Sequence, residues 1–345
     1  MSAGRPRTAV ILFNLGAPDR AASVRPFLVN LFSDPAIIDM PWPLRSILAR
    51  LIAHQRVPEA TAIYQHLGGG SPLLANTRAQ ADALQAVLGG ELRVFIAMRH
   101  WHPFSPEVAR EVAAWEPDKV VLLPLYPQFS TTTTGSSLRT WGRAAKAAGL
   151  TAPSRTICCY PTAPGLVEAH ARLITAAIDA TPAPFRLLFS AHGLPERIVA
   201  RGDPYQWQVE QTAAAVAAAV EATRRTTLDW RVCYQSRVGP LTWIGPATED
   251  ELKRAGADCV NVILAPVAFV SEHSETLVEL DITYRDVAAK AAVPTYHRVP
   301  ALGVNEAFIA ALAGLVQMPA MADVNSRCDA RLCPRRFDGC PQPGA

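Results

Sequence analysis

No apolar run in the 345 residues approaches the roughly 18 that a membrane-spanning helix needs. The longest, Val260 to Val270, is shorter and is interrupted by Asn261 and Pro266. Charge of one sign is also scarce: the net charge is +3 and the lysines and arginines are dispersed, so the chain lacks a nucleic-acid footprint. No P-loop is present, and no GxGxxG follows a strand-like run, which argues against a nucleotide site of either kind. No nucleophile elbow surrounds Ser190, which reads as a strand position rather than a hydrolase nucleophile. The apparent signal at the N-terminus, Arg5 and Arg7 before Thr8-Ala-Val-Ile-Leu-Phe, is short and meets Asn14, Gly16 and Pro18. It reads as a buried strand and turn, which makes the expected location cytoplasmic.

What is present is ample core material, with half the residues hydrophobic and 18% charged. Apolar strand-like runs (Ala9–Leu15, Arg93–Met98, Val120–Leu125, Arg186–Phe189, Arg231–Tyr234, Val260–Val270) alternate with Ala- and Leu-rich stretches suited to helices, such as Arg78–Leu88, Leu166–Ala180 and Gln211–Ala222. This is the pattern of an α/β fold with parallel sheets covered on both faces. Arg93-Val-Phe-Ile-Ala-Met-Arg resembles Arg231-Val-Cys-Tyr-Gln-Ser-Arg, and the run from Asp118 resembles that from Asp258. The chain therefore reads as two similar Rossmann-like, doubly wound halves, residues 1–165 and 166–320, followed by a cysteine-containing tail, 321–345.

Ligands of such sheets bind beyond the carboxyl ends of the strands, where the polar loops of this chain are concentrated, so a cleft between the halves is expected. Gly68-Gly-Gly-Ser-Pro72 reads as a tight turn, and the threonines at 131–134 as a capped helix start. His192 ends a strand and is followed by Gly193, which lets the chain turn, so its imidazole is expected to face the cleft. Glu272, Glu275 and Glu279 recur at three- and four-residue steps, predicting carboxylates on one helix face with His273 beside them. A histidine with one carboxylate is a weak N/O set, suited to passing on a divalent metal rather than keeping it.

Ser190-Ala-His-Gly-Leu-Pro195, Arg201-Gly-Asp-Pro-Tyr205, Gln235-Ser-Arg-Val-Gly-Pro240, Trp243-Ile-Gly-Pro246 and Glu275-Thr-Leu-Val-Glu-Leu-Asp281 resemble the ferrochelatase family. Asn14-Leu-Gly-Ala-Pro18, Gly68–Pro72 and Tyr126-Pro-Gln-Phe-Ser130 extend the likeness in order over residues 8 to about 310. The resemblance implies two Rossmann-like halves around a porphyrin cleft. It also implies insertion of ferrous iron, as substrate, into protoporphyrin IX, with release of two protons. Coproporphyrin III, a corrinoid-pathway cobalt chelatase and a non-catalytic tetrapyrrole or iron carrier are the alternatives. By motif position it implies that His192 and Glu275 are the catalytic and iron-contacting pair, with Glu272, Glu279 and Asp281 along a metal or proton path. Leu31, Tyr64, Arg99, Tyr126, Ser130 and Trp243 become the expected porphyrin contacts. The stretch Met40–His54 is the expected porphyrin-covering lip, with peripheral membrane contact, and a homodimer is compatible with the resemblance.

The tail holds Cys328, Cys333 and Cys340 among prolines and arginines. In a reducing compartment these are poor disulfide candidates. The resemblance implies that they hold a two-iron two-sulfur cluster, with a fourth thiolate from Cys158 in preference to Cys159. Zinc bound by four cysteines is the rival.

Overall fold

Near-continuous apolar strands demand cover on both faces, and the computed structural model supplies it. It describes residues 6–237, 239, 241–319, 324–326 and 331–342. The first sheet contains β1 (Thr8–Asn14), β2 (Leu92–Met98), β3 (Lys119–Pro124) and β4 (Ser154–Cys159). The second contains β5 (Phe185–His192), β6 (Trp230–Gln235), β7 (Asn261–Pro266) and β8 (Tyr296–Arg298). A short β9 (Val324–Ser326) adds to β4. Every pairing between these strands is parallel, with order β2-β1-β3-β4-β9 in one sheet and β6-β5-β7-β8 in the other.

The two orders match strand for strand over four strands. The segments read as internal copies are β2 with β6 and β3 with β7, so the duplication inferred from sequence is a duplication of topology. β7 is buried along its whole length, and β1 at every position but Thr8. Burying each Val, Leu or Ile there contributes about 1.5–3 kcal/mol. In the first sheet Phe13 meets Trp141 edge to face at 5.8 Å.

The chain divides into two units, one of Met1–Cys159 with Leu312–Leu332 and Pro341–Ala345, the other of Tyr160–Ala311 with Cys333–Cys340. In the first, the expected lip is the helix Trp42–Gln65. Its buried side carries Ala49 and Ala53, while Trp42, Leu44, Ile47 and Leu51 are more than half exposed. Leu44, Ile47 and Leu51 recur at helical spacing and make one apolar stripe. Arg45 ties the start of this helix back to the preceding one through Ser33 O at 2.9 Å.

Two expectations needed correction. Strand β4 and the short β8 and β9 were not anticipated, because β4 opens with the polar Ser-Arg-Thr and β8 and β9 have only three residues each. The threonine run does precede a helix, Thr134–Ala147, but the hydroxyl of Thr133 makes no cap bond. Gly68 and Gly69 adopt left-handed backbone in the expected turn. Among the described residues no helix is long and apolar enough to cross a membrane.

Candidate active site

The second unit gathers its chemistry where β5, β6 and β7 end. His192 is the last residue of β5 and pairs with Gln235, the last of β6. Its Nδ1 lies 2.6 Å from the carbonyl oxygen of Gly193. A carbonyl can only accept, so Nδ1 carries the hydrogen and the lone pair of the neutral ring is on Nε2. That Nε2 lies 3.7 Å from Oε2 of Glu275, and both side chains are partly open to solvent.

Gly193 also permits a close approach that the sequence did not announce. It does not show left-handed backbone. A β-carbon there would stand 2.9 Å from Gln235 O and 3.3 Å from Cε3 of Trp243. Glycine lets the strand end and the half-buried indole approach each other beside His192.

The carboxylates come from a segment whose geometry the sequence did not reveal. Residues Glu275–Thr283 form a π-helix, continued by the helix Tyr284–Lys290. Bonding from i to i+5 widens the turn, so residues four and five apart succeed one another along one side. Glu275, Glu279 and Tyr284 follow those steps. The Tyr284 hydroxyl donates to Glu279 Oε1 at 3.1 Å. Ser236 supplies a backbone N–H to the same oxygen at 2.8 Å. The Ser236 hydroxyl lies between the two glutamates, 2.5 Å from Glu279 Oε2 and 3.2 Å from Glu275 Oε2. Burial pushes the Glu279 carboxyl above its usual range and Glu275 adds to the shift, while the Ser236 donors oppose it. Ser236 has left-handed backbone at φ 60°, which costs a residue with a β-carbon about 1–2 kcal/mol.

His273 is buried, stands 3.9 Å from Glu275 Oε1 and stacks at a tilt on Phe269, 4.6 Å between centroids. Desolvation holds it below the ordinary histidine value, with Glu275 and Glu272 pulling the other way.

The acidic residues expected to line one path fall into two groups. Glu275 and Glu279 share Ser236. Glu272 lies ahead of the π-helix, and its carboxylate accepts from Arg298 and from Ala301 N. Asp281 takes both Nε and Nη2 of the same Arg298 in a two-point pair.

Among the expected porphyrin contacts, Trp243 lies beside Gly193. The others belong to the first unit. Tyr64 is buried and Leu31 partly buried in one apolar cluster with Val24, Phe27 and Leu28. Arg99 is held by Asp34 at 2.7 Å and Ser136 at 2.6 Å. Desolvation lowers its pKa, against the pull of Asp34. Burial raises the Tyr126 phenol well above its ordinary value. Ser130 is buried, and its hydroxyl lies 2.8 Å from that of Thr132.

In the second unit, Cys333 and Cys340 are buried with Phe337 against Trp207, and Gln208 Nε2 donates to Cys333 Sγ at 3.0 Å. In the first, the neighbouring Cys158 and Cys159 are fully buried at the end of β4, with sulfurs 3.7 Å apart. Cys328 lies outside the described residues. Among the described residues no three His, Cys, Asp or Glu side chains are grouped to hold a metal.

The sequence readings missed Ser236, Arg298 and the hydrogen bonds of Gln235. Ser236 and Gln235 lie inside a quoted motif, whereas nothing local marks Arg298 as the partner of Asp281.

The ferrochelatase family profile matches residues 7–319. The chain is 56% identical to a ferrochelatase of Phenylobacterium zucineum over 89% of this chain and 90% of the relative. It is 53% identical to a ferrochelatase of Caulobacter vibrioides over 97% of each. A Rickettsia bellii ferrochelatase is 43% identical over 99% of this chain and 96% of the relative. Among solved structures, SirB from Bacillus subtilis with Fe3+ shares the fold at a TM-score of 0.55 and 11% identity, covering 90% of this chain and 94% of that one. By sequence over nearly its whole length, the chain belongs to the ferrochelatase family.

Proposed function

We propose that the chain inserts ferrous iron into protoporphyrin IX, giving protohaem and two protons as the last step of haem synthesis. The observation that carries this reading is His192 Nε2, a free lone pair 3.7 Å from the Glu275 carboxylate at the open end of β5. A porphyrin must lose two N–H protons as its four nitrogens take the metal. The lone pair of a neutral imidazole can accept such a proton, and an adjacent carboxylate stabilises the imidazolium that results. The same N/O pair suits brief contact with ferrous iron as it sheds water. Binding energy spent on bending the macrocycle accelerates insertion rather than tightening substrate binding.

Protoporphyrin is favoured over coproporphyrin III by the exposed stripe of Trp42, Leu44, Ile47 and Leu51, which suits a lipophilic substrate and peripheral contact with the inner membrane face from the cytoplasm. Glu279 lies next along the carboxylate line from Glu275. Glu272 and Asp281, by contrast, are engaged with Arg298, which favours a supporting role for both. Trp243 is the porphyrin contact we assign beside His192, with Leu31, Tyr64, Arg99, Tyr126 and Ser130 as contacts from the first unit.

For the tail, the donor chemistry suits an iron–sulfur group: Cys333 and Cys340 are buried thiols, and an N–H from Gln208 already points at one sulfur. Cys328, Cys333, Cys340 and Cys158 are the ligands we assign to a two-iron two-sulfur cluster. Bound there, it would supply a redox-sensitive cross-link for the tail.

Anaerobic assay of the purified protein with ferrous iron and each porphyrin tests the function. Metallation of protoporphyrin supports it, and failure with both porphyrins supports the carrier instead.

A further inference from the structure

A carboxylate offers about four acceptor sites. Glu279 has all four filled: Oε1 by Ser236 N–H and the Tyr284 hydroxyl, Oε2 by the Ser236 hydroxyl and Gln235 Nε2 at 3.2 Å. Of these donors, only Gln235 could present the wrong end, because its amide carries a donor and an acceptor of nearly the same shape. Turned over, it would set its oxygen against the Glu279 carboxylate inside a site sheltered from water.

One side chain decides which way the amide faces. Ser190 Oγ donates to Gln235 Oε1 at 2.8 Å, and both residues are fully buried. Behind Ser190, the Thr248 hydroxyl lies 3.4 Å away, also buried. Ser190 is two residues before His192 on β5, on the same face of the sheet, while Gln235 pairs with His192 itself. The hydrogen bonds thus run in one direction, from Ser190 to Gln235 to Glu279. Glu279 in turn fixes the Ser236 hydroxyl, whose other neighbour is Glu275.

We propose that Ser190 and Gln235 are an orienting pair for metal insertion. Ser190 holds the Gln235 amide with its N–H toward Glu279, and the fixed Glu279–Ser236 contact sets Glu275 opposite His192. Neither residue touches substrate, so both are positioning residues. The proposal deepens the iron-insertion reading and rests on it. It also accounts for a buried serine beside the histidine that has no nucleophile setting.

The test is a double-mutant cycle with Ser190→Ala and Gln235→Met, assayed anaerobically with ferrous iron and protoporphyrin IX. Losing one hydrogen bond to a charged group corresponds to about a tenfold change in rate. Each single variant should lower kcat by about that factor with KM for porphyrin nearly unchanged. Because Ser190 acts only through Gln235, the double variant should be no slower than Gln235→Met alone. A purely structural role would instead lower the thermal midpoint of each variant, leave kcat per folded molecule unchanged and add up in the double. Either kcat within twofold of wild type in both single variants, or multiplicative losses in the double, would overturn the proposal. Should Ser190→Ala fail to fold, the kcat of Gln235→Met decides alone. A wild-type protein that metallates no porphyrin sinks the functional reading itself, a result distinct from an active wild type with indifferent variants.

Discussion

Arg298 grips Asp281 at two points, Nε to Oδ1 at 2.9 Å and Nη2 to Oδ2 at 2.5 Å, and its remaining nitrogen reaches Glu272. The guanidinium at the end of β8 therefore ties the segment before the π-helix to the segment within it. Two carboxylates that looked like stations on a path share one cation. Burial alone would lower the pKa of this arginine, and the two carboxylates more than reverse that, raising it.

Arg298→Ala should destabilise the protein by about 2–4 kcal/mol, since it leaves two partly buried carboxylates without their charge partner. Arg298→Lys should recover less than half, because an ammonium cannot reproduce the planar two-point contact. Urea unfolding measures both. A loss below about 0.5 kcal/mol for the alanine variant would show that the pair is as weak as a surface contact.

Glu275→Gln should lower kcat for metallation by about a hundredfold, as expected when a charge beside the proton acceptor is removed at constant volume. Porphyrin affinity, followed by fluorescence quenching, should change little. A change confined to affinity would make Glu275 a binding residue.

Stability should fall in mild acid. Desolvation alone lowers the His170 imidazole to about 4, and burial lowers His100 to about 3 with help from Arg99. Each is depressed below the unfolded value near ~6.5. The unfolded chain then binds protons that the folded chain refuses, so stability is complete above that value and drains away as pH falls toward the folded values. For His170 the full loss is about 3 kcal/mol, of which roughly 2 are gone by pH 5. His170→Leu should flatten the dependence of the urea midpoint between pH 7 and pH 5 by that share. An unchanged slope would contradict the assignment.

Much of the second unit could be read from its sequence, for local reasons. The hydrophobic runs leading into His192 and Gln235 are continuous because their sheet is covered on both faces, so those strand ends were plain, whereas the run read as Val260–Val270 outlasts its strand, which stops at Pro266. Gly193 was noticed as a turn residue only: its close approach to Trp243 and Gln235 leaves no trace in sequence. The π-helix was invisible, since the steps 272, 275 and 279 fit an ordinary helix equally well. Only three-dimensional pairing with Ser236 and Arg298 separates the four carboxylates into two sets. A three-residue strand such as Tyr296–Arg298 carries too few positions for any periodicity.

If the tail binds a two-iron two-sulfur cluster, anaerobically purified protein should be coloured and bleached by dithionite. Iron and acid-labile sulfide should each be about two per chain. Serine at Cys328, Cys333 or Cys340 should remove the colour, as should serine at Cys158 but not at Cys159. A colourless protein with one zinc and no sulfide would overturn the cluster and leave the iron-insertion reading intact.

The most direct test compares wild type with His192→Ala, supplying ferrous iron and protoporphyrin IX without oxygen and following protohaem absorbance, with porphyrin binding and thermal unfolding measured on the same samples. The account predicts that wild type makes protohaem while the folded variant binds porphyrin and makes essentially none. A wild type that makes no protohaem, or a folded variant that keeps most of the activity, would contradict it.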